Sequence, residues 1–188
     1  MDATAPADVE KIVRAVLQSL NREQPNAAPR AARLAPGIFA NLDDAVAAAD
    51  CAQKQLRSVA MRTKVVEAIR QAGVEHAREL AELAVAEPGM GRVEDKIAKN
   101  MSQARCTPGV ECLTPRVLTG DKGLTLIENA AWGVIASVTP STNPAATVIN
   151  NAISMISAGN TVVFAPHPAA KKTSQLAITR INEAVVAA

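Results

Sequence analysis

A short polar turn, Pro140-Ser141-Thr142-Asn143-Pro144, carries the side chains best suited to chemistry. It puts an amide and two hydroxyls between an apolar run and a predicted helix. The first N–H groups of a helix lack partners within the helix and carry partial positive charge, so they favour an anion. The turn could therefore stabilise negative charge, although residue type alone favours a turn or cap role for Asn143.

A second turn of this kind, Ala165-Pro166-His167-Pro168, follows another apolar run. Neither turn contains G-x-G-x-x-G or a Walker A sequence, so the two commonest phosphate-binding loops are absent.

The three cysteines, Cys51, Cys106 and Cys112, suggest a reducing, cytosolic protein. Their number is odd, and the spacing between Cys106 and Cys112 matches no common zinc or redox motif, so we predict no metal site. None lies beside a His or at a predicted helix start that would activate a thiolate. We expect small, buried or half-buried thiols.

Alternating strands and helices must position the two turns. The apolar run at 132–139 predicts a strand buried on both faces, as in a parallel sheet. A helix at 145–157, a strand at 161–165 and a helix from about Ala169 follow. This β-α-β-α order is half of a doubly wound nucleotide-binding fold, in which ligands bind at the carboxyl ends of the strands.

Residues 41–104 are predicted to be helical. Four helices are expected, at 41–57, 58–71, 74–86 and 92–104. Asn41 or Asp43 can cap the first, and the Glu87-Pro88-Gly89-Met90-Gly91 run separates the last two.

The fourth helix carries several charges that we expect to form mainly a solvated face: Glu94, Asp95, Lys96 and Lys99. Beyond it, residues 116–119 and 124–128 predict two strands joined by a hairpin turn at 120–123.

The N-terminal segment combines an amphipathic helix at 7–21 with a Pro- and Ala-rich linker at 22–37. The helix has one apolar stripe, formed by Val9, Ile12, Val13, Val16, Leu17 and Leu20. It could dock on its own domain or lie in a groove of another protein. The linker favours the second hypothesis, because a docked helix rarely needs a Pro-rich tether.

Composition excludes several classes of protein. The 188 residues carry a net charge of +2 with no dense basic block, which gives no case for nucleic-acid binding. No apolar run approaches the about 20 residues that span a bilayer, and the start is not a secretory signal. The last helical pattern ends without Gly, Pro or a basic residue, and we expect a partial chain.

Three stretches, residues 87–96, 133–144 and 150–168, resemble the aldehyde dehydrogenase superfamily. More narrowly, the run Gly133-Val134-Ile135-Ala136-Ser137-Val138-Thr139-Pro140-Ser141-Thr142-Asn143-Pro144 resembles the CoA-acylating members, which convert acetaldehyde or propionaldehyde to acyl-CoA. The resemblance extends from about Ile38 to the end. It implies an α/β fold with N-terminal helices, arm strands near 116–128 and the first β-α-β-α of a Rossmann-type nucleotide-binding domain, incomplete at 38–188.

The resemblance also implies functional residues. Asn143 would be the oxyanion-hole amide, which stabilises the alkoxide formed when a Cys thiolate adds to the aldehyde. NAD and coenzyme A would bind near the two turns, at Thr139, Pro140, Ser141, Thr142, Ala165, Pro166, His167 and Pro168. The family's catalytic Cys lies far downstream, so the chain as written is expected to be an inactive portion of the enzyme.

The second turn departs from the hydrolytic members of the family. These usually carry Lys-Pro-Ser/Ala-Glu, whose Lys and Glu hold the adenosine ribose of NAD, whereas Ala165 and Pro168 stand here. Loss of the Glu removes a charge that would repel the 3′-phosphate of coenzyme A. His167 could face that phosphate or be a turn residue in solvent.

The N-terminal helix resembles the encapsulation peptides of bacterial-microcompartment enzymes. This implies binding to a shell protein through residues 8–20, a cytoplasmic location inside a microcompartment, and a homo-oligomer when full length.

Two alternatives remain open. One is a non-catalytic targeting or binding module that keeps the N-terminal half of the family. The other is a hydrolytic aldehyde dehydrogenase with no CoA chemistry.

Overall fold

The computed structural model of the protein describes residues 33–188. The predicted helix at 7–21 and residues 22–32 of the predicted linker lie outside the described residues. The strands are β1 (Arg33–Ala35), β2 (Ile38–Phe39), β3 (Arg116–Gly120), β4 (Gly123–Ile127), β5 (Val134–Thr139) and β6 (Thr161–Pro166). The helices are α1 (Leu42–Gln53), α2 (Val59–Glu75), α3 (Ala77–Ala86), α4 (Val93–Cys106), α5 (Pro144–Ser157) and α6 (Lys171–Ala187).

A two-stranded parallel sheet, β5 with β6, holds the two predicted turns. Val134 is opposite Thr161 and Thr139 is opposite Pro166, so both carboxyl ends meet at one edge of the sheet. Helix α5 connects the strands and α6 follows β6, which confirms the predicted β-α-β-α order.

The prediction that the first strand is buried on both faces is wrong. Ser137 and Thr139 of β5 are buried, with the Ser137 hydroxyl accepting a hydrogen bond from Asn151 of α5 at 2.9 Å. Val138, whose side chain points to the other face, is 81% exposed. Among the described residues, helices cover the face of β5 that carries Ser137 and Thr139, and the opposite face is open.

Side-chain caps fix where the first two helices begin. The side chain of Asn41 accepts the Asp44 N–H at 2.8 Å, and Ser58 accepts the Met61 N–H at 3.1 Å. Both starts agree with the prediction, and Asn41 rather than Asp43 caps the first helix. Helix α1 ends at Gln53 rather than Arg57, because the residues after it form turns instead of a further helical turn.

The hydrophobic core joins the helical segment to the β-α-β-α unit. Its fully buried side chains include Ile69 of α2, Leu80 of α3, and Ile149 and Ile153 of α5, with Ala177 of α6 packed against them. Each large aliphatic side chain buried in this way contributes about 1.5–3 kcal/mol. The core therefore holds the elements that carry both turns.

Two antiparallel hairpins complete the fold. The predicted hairpin is confirmed as β3 and β4, paired from Arg116 with Ile127 to Gly120 with Gly123. The other hairpin consists of β1 and β2. Residues 33–37 of this hairpin fall within the stretch predicted as linker, 22–37. Gly37 has φ +73°, and a Cβ there would lie 3.0 Å from Asn182 Cβ of α6, so this turn is held close against that helix.

Candidate functional site

A cleft of about 320 Å³ lies beside the first polar turn, between that turn and the start of α4. Its walls are Met90, Gly91, Arg92, Asp95, Lys96, Lys99, Thr142 and Asn143. The cleft thus brings the predicted oxyanion residue, Asn143, together with two lysines of α4.

Asn143 occupies the N-cap position of α5, but its side chain makes no capping hydrogen bond. Its backbone carbonyl accepts the Thr147 N–H at 3.0 Å. Its side-chain Oδ1 accepts a hydrogen bond from Lys99 Nζ at 3.1 Å. Among the described residues Nδ2 has no partner, so the amide can still donate to a ligand.

Lys96 fixes the backbone that precedes Asn143. Its side chain is only 8% exposed, and its Nζ donates to the Thr142 carbonyl at 2.6 Å. Burial, and secondly the neighbouring Lys99 ammonium, lower the pKa of Lys96 from its ordinary value of 10.5. In the described part of the chain, neither lysine makes an ion pair with a carboxylate.

The prediction that Lys96 belongs to a solvated face is therefore wrong. The sequence already indicated that Lys96 faces inward. One stripe of α4 is formed by Val93, Ile97, Asn100 and Ala104, and Lys96 lies within that stripe. Lys99, Glu94 and Asp95 are exposed, as expected. Lys96 and Lys99 are three residues apart and share a helix face, so both reach the same turn.

The other predicted binding residues lie at the sheet edge with different exposures. Thr139 is 1% exposed and its hydroxyl lies 3.5 Å from Ser174 Oγ, so its side chain faces the interior. Ser141 and Pro166 are half-buried. The remaining residues of the two turns are exposed: Pro140, Thr142, Ala165, His167 and Pro168.

His167 makes a local hydrogen bond within the second turn. Its Nδ1 accepts the Ala169 N–H at 3.1 Å, at the start of a short 3₁₀ turn at Pro168–Ala170. The backbone N–H of His167 donates to the Thr139 carbonyl at 3.1 Å, which ties the two turns together.

Glu87 is a residue whose role the sequence did not reveal. Its carboxylate accepts the N–H of Lys172 at 2.7 Å, the N–H of Thr173 at 2.8 Å and the Thr173 hydroxyl at 2.7 Å. Burial acts to raise the pKa of Glu87, but these hydrogen bonds outweigh it and the pKa is lowered from 4.5. Glu87 therefore supplies the anion at the N-terminus of α6 from within the chain.

The cysteines lie away from the cleft. Cys51 is half-buried, as predicted, but Cys106 and Cys112 are exposed, which contradicts the prediction for these two thiols. In the described residues no group of three His, Cys, Asp or Glu side chains is arranged to hold a metal ion. Over the same residues, no helix combines the length and the apolar character needed to cross a membrane.

The known proteins that resemble this chain include several aldehyde dehydrogenases. Acetaldehyde dehydrogenase (acetylating) EutE of Escherichia coli is 69% identical over 181 residues, which are 96% of this chain and 38% of that enzyme. A propionaldehyde dehydrogenase from the Clostridium phytofermentans fucose utilisation bacterial microcompartment superposes with TM-score 0.78 and 48% identity, over 80% of this chain and 35% of that one.

A Rhodopseudomonas palustris propionaldehyde dehydrogenase with bound propionyl-CoA gives TM-score 0.79 and 41% identity, over 81% of this chain and 35% of that one. The chain thus spans well under half the length of these relatives. Their similarity agrees with the α/β fold of the described residues. The sequence model of the aldehyde dehydrogenase family matches residues 13–187, and the chain therefore belongs to the aldehyde dehydrogenase family.

Proposed function

We propose that the chain is the N-terminal portion of a CoA-acylating, NAD-dependent aldehyde dehydrogenase. The enzyme would oxidise a short aldehyde, acetaldehyde or propanal, to the acyl-CoA through a Cys thioester. The 69% identity to an acetylating acetaldehyde dehydrogenase, of which the chain covers 38%, supports both parts of this proposal.

The free amide nitrogen of Asn143 at the cleft carries the proposal. When a thiolate adds to an aldehyde, the carbonyl oxygen becomes an alkoxide, and it becomes a carbonyl again as hydride leaves. An N–H aimed at that oxygen stabilises charge that is present only around the transition state. Asn143 has such a donor available because its Nδ2 has no partner among the described residues, while Lys99 pairs with its Oδ1.

The thiolate must come from outside these residues. Cys51, Cys106 and Cys112 do not line the cleft. The role of this chain would be to orient the aldehyde oxygen through Asn143 and to form one edge of the nucleotide site.

We expect the adenosine ends of NAD and coenzyme A to bind at the two turns. Ser141 and Thr142 offer hydroxyls, and the 165–168 turn has no carboxylate to repel the 3′-phosphate of coenzyme A. His167 could face that phosphate through its other ring nitrogen, Nε2. NAD supplies the hydride acceptor when bound, and coenzyme A takes the acyl group from sulfur, which is a ping-pong order.

Omission of coenzyme A tests the reaction type. The intact enzyme should convert acetaldehyde or propanal with NAD and coenzyme A into NADH and acyl-CoA, the latter identified by its mass. Without coenzyme A, NADH formation should stop after about one turnover, because the thioester has no acceptor. Undiminished release of the free acid would instead identify a hydrolytic enzyme.

An assay of the 188-residue chain by itself tests the partial-chain hypothesis. It should not turn over aldehyde, because the catalytic thiolate is not among its residues. Turnover by this material would contradict the hypothesis. Turnover by this material would also contradict the alternative hypothesis of a non-catalytic targeting or binding module.

The location and partners are part of the same proposal. The relative from a microcompartment supports a cytoplasmic enzyme enclosed in such a shell, with residues 8–20 binding a shell protein. Deleting residues 1–21 should leave turnover intact and abolish co-purification with shells. Loss of turnover would mean that the helix docks on its own domain.

A homo-oligomer of the intact enzyme is also proposed. One face of the β3–β4 hairpin presents Val117, Leu124 and Leu126, each more than half exposed. A contiguous apolar surface of this kind is typical of an interface. Analytical ultracentrifugation of the intact enzyme would measure its mass directly, and a monomer would contradict the proposal.

A further inference from the structure

Lys99 lies where it can decide which end of the Asn143 amide faces the cleft. A lysine ammonium has three donors and no acceptor, so only Oδ1 of an amide can pair with it. The 3.1 Å contact with Nζ therefore turns Nδ2 away from Lys99. Without that ammonium, either end of the amide could face the cleft.

The backbone cannot provide the same selection. Asn143 sits at the N-cap position of α5, yet its Oδ1 makes none of the usual capping bonds to the first turn. Lys99 is thus the sole partner of that oxygen among the described residues. A hydrogen bond from a charged donor also polarises the amide, which makes the N–H groups on Nδ2 stronger donors.

Lys96 supports this arrangement from one turn earlier on α4. Its buried ammonium holds the Thr142 carbonyl, the group directly before Asn143. The backbone and the side chain of the turn are therefore each held by one lysine of the same helix.

We propose that Lys99 is a positioning residue: it holds the Asn143 amide with its N–H groups towards the cleft, where they meet the developing alkoxide. This inference rests on the proposed function, because it gives Lys99 a role only through the oxyanion donor. The bond from Lys99 forms no part of substrate binding, so its loss should affect kcat rather than the KM values.

The test compares Lys99→Met and Lys99→Arg in the intact enzyme. Lys99→Met should lower kcat about threefold to tenfold, the range of a net hydrogen-bond contribution, with the KM for aldehyde and for coenzyme A unchanged. Lys99→Arg should recover most of the activity, since a guanidinium also only donates. Lys64→Met, which removes an exposed lysine of α2, is the matched control and should leave kcat unchanged.

A second arm asks whether Lys99 acts through Asn143. Asn143→Ala should lower kcat by about 10²–10³-fold. In that background Lys99→Met should have no further effect, because there is no amide left to orient. The melting temperature of Lys99→Met should stay within about 2 °C of the parent, since Lys99 is exposed.

The outcomes separate the two levels of inference. If Asn143→Ala leaves kcat unchanged, the oxyanion role and the positioning role both fail. If Asn143→Ala lowers kcat but Lys99→Met does not, or if the two losses multiply, only the role of Lys99 is overturned. A rise confined to the KM for coenzyme A would likewise overturn it and would make Lys99 a binding group for that substrate.

Discussion

Gly91 and Lys96 lie against each other in the wall of the cleft. Gly91 has φ +84°, a conformation that L side chains rarely adopt, and a Cβ there would lie 3.2 Å from Lys96 Cε. Gly89, two residues earlier, has φ +69° but nothing within 4 Å of such a Cβ. The two glycines thus share a left-handed backbone, which only a substituted side chain would strain, and differ in what surrounds them.

This difference gives the first prediction. Gly89→Ala should cost about 1–2 kcal/mol of unfolding free energy from the left-handed backbone alone. Gly91→Ala should cost more and should also lower kcat, because Lys96 Cε must shift by a few tenths of an ångström and its hydrogen bond to the Thr142 carbonyl is then perturbed. Urea denaturation and steady-state kinetics of the two variants measure this, and equal effects on kcat would show that the contact with Lys96 is unimportant.

Glu87 gives a prediction on pH. Its pKa is lower in the folded protein than in the unfolded chain, so its stabilising effect is complete above about pH 4.5 and is lost as the pH falls through the folded value. Glu87→Gln should destabilise by about 0.5–2 kcal/mol at neutral pH, as the loss of a helix cap does. That difference from the parent should shrink in acid.

Denaturation curves of parent and Glu87→Gln across acid and neutral pH measure the effect. Glu128→Gln removes an exposed carboxylate with no hydrogen bond in the structure and serves as the control. A difference that stays constant with pH would mean that the charge of Glu87 does not stabilise α6.

The sequence identified the polar turn but not the side chain that holds it, Lys96, nor the side chain that caps α6, Glu87. Asn143 was recognisable because its neighbours form a local pattern. Lys96 bonds to Thr142, 46 positions away, and Glu87 bonds to Thr173, 86 positions away. Contacts between residues so far apart produce no pattern in the neighbouring sequence from which they could be predicted. The apolar stripe around Lys96 showed that it faces inward, but not which carbonyl it would meet.

Among the secondary-structure elements, the start of β5 depends on one side chain from the loop before β6. Asn160 is 3% exposed, and its Oδ1 accepts the N–H groups of Trp132 at 2.7 Å and Gly133 at 3.0 Å. The Asn160 backbone N–H and side-chain Nδ2 both donate to the Met155 carbonyl of α5. Asn160 therefore joins the approach to β5 to the end of the crossover helix.

Removal of this link is the third prediction. Asn160→Ala leaves two backbone N–H groups near the sheet without an acceptor, which should cost about 1–3 kcal/mol. Asn129→Ala, in the exposed segment before β5, should change the stability little. Chemical denaturation compares the two, and a neutral Asn160→Ala would show that water satisfies both N–H groups.

The order and type of the helices and strands could be predicted better than their burial and their exact ends. Caps, Pro and Gly mark where α1, α2 and α3 begin or end, and the apolar run marked β5. Burial of β5 could not be predicted, because the exposure of Val138 depends on which elements pack on the sheet rather than on the run itself. The end of α1 at Gln53 could not be predicted either, because no Gly or Pro lies between Gln53 and Arg57 to mark it.

For the whole molecule, hydrogen bonds and core contacts connect segments that are far apart in sequence. Thr161 donates to the Ala49 carbonyl of α1 at 2.9 Å, and Gln53 donates to the Gly159 carbonyl at 3.1 Å. The core combines Ile69 and Leu80 with Ile149 and Ala177. These contacts run from residues before 107 to residues after 132 and bypass the β3–β4 hairpin between them.

Because of this bypass, we expect the continuity of the chain at the hairpin to be dispensable once the protein is folded. Cleavage between Asp121 and Lys122, at the exposed tip, should yield two fragments that stay associated and co-migrate on a native gel. Separately expressed halves of the described unit should then reconstitute one another by complementation. Fragments that separate on cleavage would show that the covalent connection through the hairpin is needed to hold the two halves together.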